Sequence, residues 1–179
     1  LVRITLLATS VLTAASHAAE SAAAFRHPGI LLNRAQLDLI RQRVAAGVEP
    51  QKTAFATMLA SPPADPNYTP SPRATVECGP RSNPDLGCKD ERRDATAAYS
   101  QALAWHVTGK AQFARNAIRI MNAWANTLTG GHKLANGPIQ AAWTASVWPR
   151  AAEIIRYTSD LWAPAAIARF EKMLREQYV

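Results

Sequence analysis

The sequence predicts an all-α protein, and three observations carry that expectation. Alanine is used heavily, while residues that favour strands are sparse outside helical patterns. Apolar residues recur at spacings of three and four along most of the chain. Helix starts and stops, among them Asn33, Gly47, Gly109 and Gly130-Gly131, punctuate those stretches. A chain of 179 residues can bury one sizeable core, and 48% hydrophobic against 18% charged residues argues against intrinsic disorder.

The first residues place one charge, Arg3, before an apolar run through Leu12, followed by the small residues Ala14, Ala15, Ser16, Ala18 and Ala19. This is the layout of a secretory signal peptide over residues 1–18, with the cut expected after Ala18. An ordinary hydrophobic helix is the competing reading, disfavoured because no amphipathic period runs through the segment. The apolar run is short of the roughly 20 residues that span a bilayer, so no stable membrane insertion is expected. A periplasmic or secreted location follows.

Helical pattern begins at Asn33, a good N-cap with Gln36 in capping-box spacing; Leu37, Ile40 and Val44 mark one face and Gly47 ends it. Pro50 suits the first turn of a second helix carrying Phe55, Met58 and Leu59. From Ser61 to Lys89 the pattern breaks, because seven of the twelve prolines fall there. No helix survives that density, and a long ordered loop is expected. Cys78 and Cys88 stand close together within it, and in an exported protein an even pair reads as a disulfide that staples the loop. Neither a CxxC pair nor a Cys/His cluster with zinc spacing is present, and no cofactor is implied.

Helix resumes at Asp90, a possible cap, with Ala95, Tyr99, Ala102, Leu103 and His106 on one face and Gly109 at its end. Phe113, Ala117, Ile120, Met121, Trp124 and Leu128 form the next stripe, ended by Gly130-Gly131. Pro138 can open a further helix that runs through Trp143 towards Ile155, kinked or split by Pro149, and Arg150 and Glu153 on it have salt-bridge spacing. A last helix from Pro164 shows Ile167, Phe170, Leu174 and Tyr178. A series of antiparallel helix hairpins with no strand pairing after residue 90 is expected. That series fits an α/α toroid or an α-solenoid better than a four-helix bundle, and no 34-residue repeat supports the tetratricopeptide option. The chain opens on Leu rather than Met and reaches Val179 without a stop signal, so it is expected to be the N-terminal portion of a longer protein.

The formal charge of +7 falls to +6 once Arg3 leaves with the signal peptide. A basic exported protein suits an anionic partner. Nucleic acid is the weakest choice, since no recognised binding motif appears. The most informative stretch is Thr127–Trp143, in which a glycine-rich turn delivers His132 and Asn136 just before a helix start. Gln140 and Trp143 follow at spacings of four and three, so Asn136, Gln140 and Trp143 can face one cleft. An indole stacks on a sugar ring, and amides and a histidine can grip a carboxylate and hydroxyls. Plain structural roles compete: Asn136 as an N-cap, His132 as a loop residue and Trp143 as core. Tyr68 and Arg73, in the proline-rich loop, are candidates to cover the cleft.

The segments Phe25–Leu31, Pro72–Gly79, Cys88–Arg92, Ile118–Trp124, Gln140–Trp143 and Trp148–Tyr157 resemble the alginate lyase superfamily of polysaccharide lyases. The resemblance runs over nearly everything from Phe25 onward and is nearest to the branch with glucuronan lyases. It implies a domain over residues 25–179, an incomplete α/α toroid truncated at its C-terminus, that cleaves an anionic polysaccharide of uronic acids by β-elimination. By resemblance Asn136 occupies the place of the carboxylate-neutralising, catalytic asparagine; His132, Gln140, Trp143, Tyr68 and Arg73 are the substrate-binding candidates that the reading of the residues themselves supplies. The family's catalytic histidine, arginine and tyrosine match nothing here and are expected further along a full-length chain, so this stretch alone is expected to be inactive. The Asn-Asn-His motif of the bacterial alginate lyases is also absent, which leaves alginate and glucuronan both open. Two other classes compete. A non-catalytic helical-repeat binding protein would show a repeat. An α/α-barrel glycoside hydrolase would need two carboxylates across a cleft, whereas Asp90, Glu91 and Asp94 read as capping and dipole partners.

Overall fold

The computed structural model describes residues 25–178, so the signal-peptide expectation for residues 1–18 lies outside the described residues. Among the described residues seven α-helices follow one another: α1 (Arg34–Ala45), α2 (Gln51–Leu59), α3 (Cys88–Thr108), α4 (Ala111–Thr127), α5 (Gly137–Ala145), α6 (Trp148–Thr158) and α7 (Pro164–Gln177). The all-α expectation holds, with one small sheet added. Asn33 caps α1 as its spacing predicts: its side chain accepts from Gln36 N at 3.0 Å, and Gln36 Oε1 accepts from Asn33 N at 2.9 Å. Gly47 and Gly109 follow the ends of α1 and α3 in the left-handed conformation. Pro149 splits the expected long helix, because Ser146 and Val147 link α5 to α6 and the proline sits in the first turn of α6.

Helix α3 is the axle of the molecule. Its 21 residues extend about 32 Å at 1.5 Å per residue. Ala95, Ala97, Ala98, Ala102 and Ala104 are fully buried on it and lie on more than one face. Small side chains on several faces allow α1, α4 and α6 to approach it closely. Helix α4 turns back after only Gly109 and Lys110, which makes α3 and α4 an antiparallel hairpin. The predicted stripe on α4 is buried in full, from Phe113 to Leu128. Helix α6 then packs on α3, and α7 on α4. Where these four helices meet, Trp148 lies 6.1 Å from both Trp124 and Phe170, and Trp162 lies 5.5 Å from Phe170. Aromatic pairs at such separations and tilts contribute beyond the area they bury.

The proline-rich segment is ordered but not bare loop. It contains two 3₁₀ turns and the strands β1 (Val76–Cys78) and β2 (Asp85–Leu86). Cys78 and Cys88 are bonded, with Cα atoms 5.9 Å apart. A third strand, β3 (His132–Lys133), corrects the expectation of no strand pairing after residue 90. β1 is central, antiparallel to β2 through Cys78↔Asp85 and parallel to β3 through Val76↔His132. Strands of two or three residues carry no readable period; their pairing is set by where tertiary contacts bring the loops.

Two further expectations are corrected. α3 starts at Cys88 instead of Asp90, and Asp85 Oδ1 accepts from Lys89 N at 3.2 Å at that end. Glu153 pairs with His27 and Gly29 N, at 2.9 and 3.0 Å, and not with Arg150; this ties the start of the described chain to α6. Among the described residues no helix is long and apolar enough to cross a membrane.

The disulfide closes a short loop beside the first turn of α3, so its removal acts on the whole sheet. The double substitution Cys78→Ser/Cys88→Ser should lower stability by about 2–3 kcal/mol in urea unfolding. Thiol titration of the denatured, unreduced protein should find no free cysteine.

Candidate functional site

The loop from α4 to α5 docks on residues 74–78 through backbone alone. Thr129 N and Gly130 N both donate to Ala74 O, at 3.0 and 2.7 Å, and Val76 N donates to Gly131 O at 3.0 Å. Gly130 makes the approach possible, since a Cβ there would lie 2.1 Å from Thr75 Oγ1. After β3, Asn136 N donates to Cys78 O at 2.9 Å, which stitches the start of α5 to the disulfide.

These contacts frame a cleft of about 410 Å³ between the disulfide, the first turn of α3 and α5. Gly79 and Ser82 form one wall, and Arg92, Asn136, Gln140 and Trp143 line the others. Arg81 and Ser82 hold consecutive left-handed φ values of 53° and 59° beside it, a conformation costly for side chains of this kind.

Three of the six sequence-derived candidates therefore meet at one cleft. Asn136 stands at the N-cap position of α5, yet its side chain does not cap the helix. Its Nδ2 instead donates to Gly79 O at 2.8 Å. Trp143 is 52% exposed, which sets aside the core reading for its indole. Gln140 lines the cleft but is only 1% exposed and committed to its neighbours. Its Nε2 donates to Cys88 O at 3.0 Å and to Glu91 Oε2 at 2.7 Å.

His132 lies in the layer beneath. Its Nδ1 donates to Gln177 O at 3.1 Å, and its Nε2 meets both Glu91 oxygens at 3.0 and 3.1 Å. Both ring nitrogens face acceptors, so the ring is held from both edges. Tyr68 and Arg73 do not line this cleft. The Tyr68 hydroxyl donates to Asp94 Oδ1 at 2.5 Å and accepts from Arg93 Nε at 3.2 Å. Burial, with the Asp94 carboxylate beside it, holds the Tyr68 phenol well above its ordinary range. Arg73 reaches Asp90 at 3.4 Å.

The roles of three residues in and around the site were missed by sequence reasoning. Glu91, read as a capping and dipole partner, is fully buried and accepts from His132, Gln140 and the Tyr178 hydroxyl. Burial first, then the Glu91 charge, raises the Tyr178 phenol well above its usual value. Asp94 is corrected in the same way: it is fully buried and accepts from Tyr68, Ser71 N and Trp124 Nε1. Arg92 donates to Gln140 Oε1 and its guanidinium carbon stands 5.6 Å from the Trp143 ring centre. A short acidic-basic run at a helix start resembles any solvated first turn, so no sequence signal separated these roles.

An exposed indole, a guanidinium and an amide line one cleft on an all-α scaffold, groups of the kind that can contact a sugar. Residues 40–177 match the family model for alginate lyase, and the chain belongs to that family. The family carries a polysaccharide lyase function with a polysaccharide substrate. No curated protein and no solved structure matches the chain.

The buried carboxylate gives a direct test of this layout. Glu91→Ala strands three donors in the interior and should cost about 3–5 kcal/mol of stability. Asp90→Ala, whose side chain is half-exposed against Arg73 and Arg93, should cost less than about 1 kcal/mol. Chemical denaturation of the two variants side by side checks the contrast.

Proposed function

We propose that the protein acts on a uronic-acid polymer, alginate or glucuronan, and cleaves it by β-elimination with the chain lying in the cleft at Asn136 and Trp143. The C5 proton of a uronate is weakly acidic until the carboxylate beside it is neutralised. A base then removes that proton, the C4–O4 bond breaks, a C4=C5 double bond forms, and an acid protonates the departing O4. Asn136 would supply the neutralising amide, and Trp143 would stack on a sugar ring.

The observation that carries this reading is the state of Asn136. Its side chain lines the cleft and is steadied by Gly79 O, without being consumed as a helix cap. An amide held in advance of charge build-up suits transition-state stabilisation. Family membership supports the reaction class, and the disulfide suits an exported protein in an oxidising compartment. The packing of α6 and α7 on the α3–α4 hairpin suits an arc of an α/α toroid. The family's catalytic base and acid would come from the same ring.

The test is an elimination assay on alginate and on glucuronan, following absorbance of the unsaturated product made by the full-length protein. Asn136→Ala should cut turnover by about 10²–10³, with a smaller effect on binding. Loss of the hydrogen bond to Gly79 should cost about 1 kcal/mol of stability. Normal turnover with lowered stability would remove Asn136 from the active site.

A further inference from the structure

We propose that Arg92 is the specificity-determining cation of this cleft, the group that binds a carboxylate of the ligand and so selects acidic over neutral sugars. The inference rests on the reading above for the ligand class, a uronate oligomer, but not for the reaction.

Arg92 is half-buried on the cleft wall, and its charge is left over when the local acids are assigned. Asp90 pairs with Arg73 and Arg93, Asp85 with Lys89, and Glu91 with His132. Among the described residues none of these carboxylates comes within ion-pair distance of Arg92. Its charge reaches Asp85 only as a longer-range influence. That carboxyl lies below its ordinary value because hydrogen bonds and charge from Lys89, with the Arg92 charge, outweigh the upward push of burial. A guanidinium presents five donors in a rigid fork, and one partner among the described residues, Gln140 Oε1, occupies part of it. A planar carboxylate matches the remainder.

The orientation of Arg92 is set from below. Gln140 spends its Nε2 on two acceptors, Cys88 O and Glu91 Oε2, so the amide cannot turn over without facing both with an oxygen. Its Oε1 must then point to Arg92. Glu91 is in turn immobilised by His132 and Tyr178. Glu91 and Gln140 are thus positioning residues, and the guanidinium is presented beside the Trp143 ring. A sugar ring on the indole would bring its carboxylate within reach of a charge that is already in place.

Calorimetric titration of the full-length protein with an oligouronate of four to six sugars, and with the same oligomer after its carboxyls are reduced to alcohols, tests this. The protein should bind the acidic oligomer about 10–100-fold more tightly than the reduced one, as expected for paired hydrogen bonds to a charged group. Arg92→Gln should abolish that preference, bringing the acidic oligomer to the affinity of the reduced one. Arg92→Lys keeps the charge but not the fork. It should retain part of the preference and serves as the test if Arg92→Gln does not fold. Trp143→Ala should weaken both oligomers alike and leave the preference in place. A preference that survives in Arg92→Gln, or a wild-type protein without one, overturns the proposal. An Arg92-dependent preference in a protein that yields no unsaturated product would refute the lyase chemistry and leave this subsite standing.

Discussion

A fully buried carboxylate, Glu91, is the constraint on which the arrangement of the site depends. A carboxylate out of water persists only when its oxygens are filled by donors, and here the donors come from three distant parts of the chain. His132 belongs to β3, Gln140 to α5 and Tyr178 to the end of α7. None of these segments can shift alone without stranding charge in the interior. The contact therefore sets where α5 starts, and with it the position of Asn136 and Trp143 on the cleft.

Asp94 repeats the device one turn further along α3. Its oxygens take the Tyr68 hydroxyl, Ser71 N and Trp124 Nε1, which binds the proline-rich segment and α4 to the same helix. The two carboxylates divide the work: Glu91 organises the cleft end and Asp94 anchors the segment that crosses over it in sequence. This bears on the competing hydrolase reading. A glycosidase needs two carboxylates that face a cleft, one of them able to give up a proton to a leaving group. Glu91 and Asp94 are fully buried and saturated with donors, so neither can play that part without dismantling the core.

What the sequence revealed and what it hid follow from range. The helices were legible because their causes are local. Asn33 with Gln36, Gly47 and Gly109 mark ends, and the Phe113–Leu128 stripe marks a buried face. The spacing Asn136–Gln140–Trp143 brought three residues to one cleft, because two successive turns of one helix determine it. The sheet was hidden because β3 is two residues long and exists only where Gly130 lets its loop dock. Glu91 and Arg92 were hidden because adjacent residues on a first turn point in different directions, one inward and one to the cleft. Nothing local distinguishes a buried acid from a solvated one. The placement of Tyr68 and Arg73 away from the cleft likewise depends on Asp94 and Asp90, partners 26 and 17 residues distant.

The division between a rigid interior and an open cleft has a chemical logic. In the β-elimination proposed above, removing a proton beside a carboxylate is slow because negative charge must build where charge already stands. Donors help most when they are aimed in advance, since reorganising them during the reaction would return the gain. In this protein the polar groups nearest the cleft are each anchored by groups behind them: Asn136 by Gly79 O, and Arg92 by Gln140, which is held by Glu91. Flexible side chains such as arginine ordinarily lose much freedom on meeting a ligand. A guanidinium already held by an amide that cannot turn loses less, and it leaves its remaining donors free. Burying Glu91 in the first turn of α3 is thus what allows the next residue, Arg92, to stand in the cleft as an oriented charge with no carboxylate at ion-pair distance among the described residues.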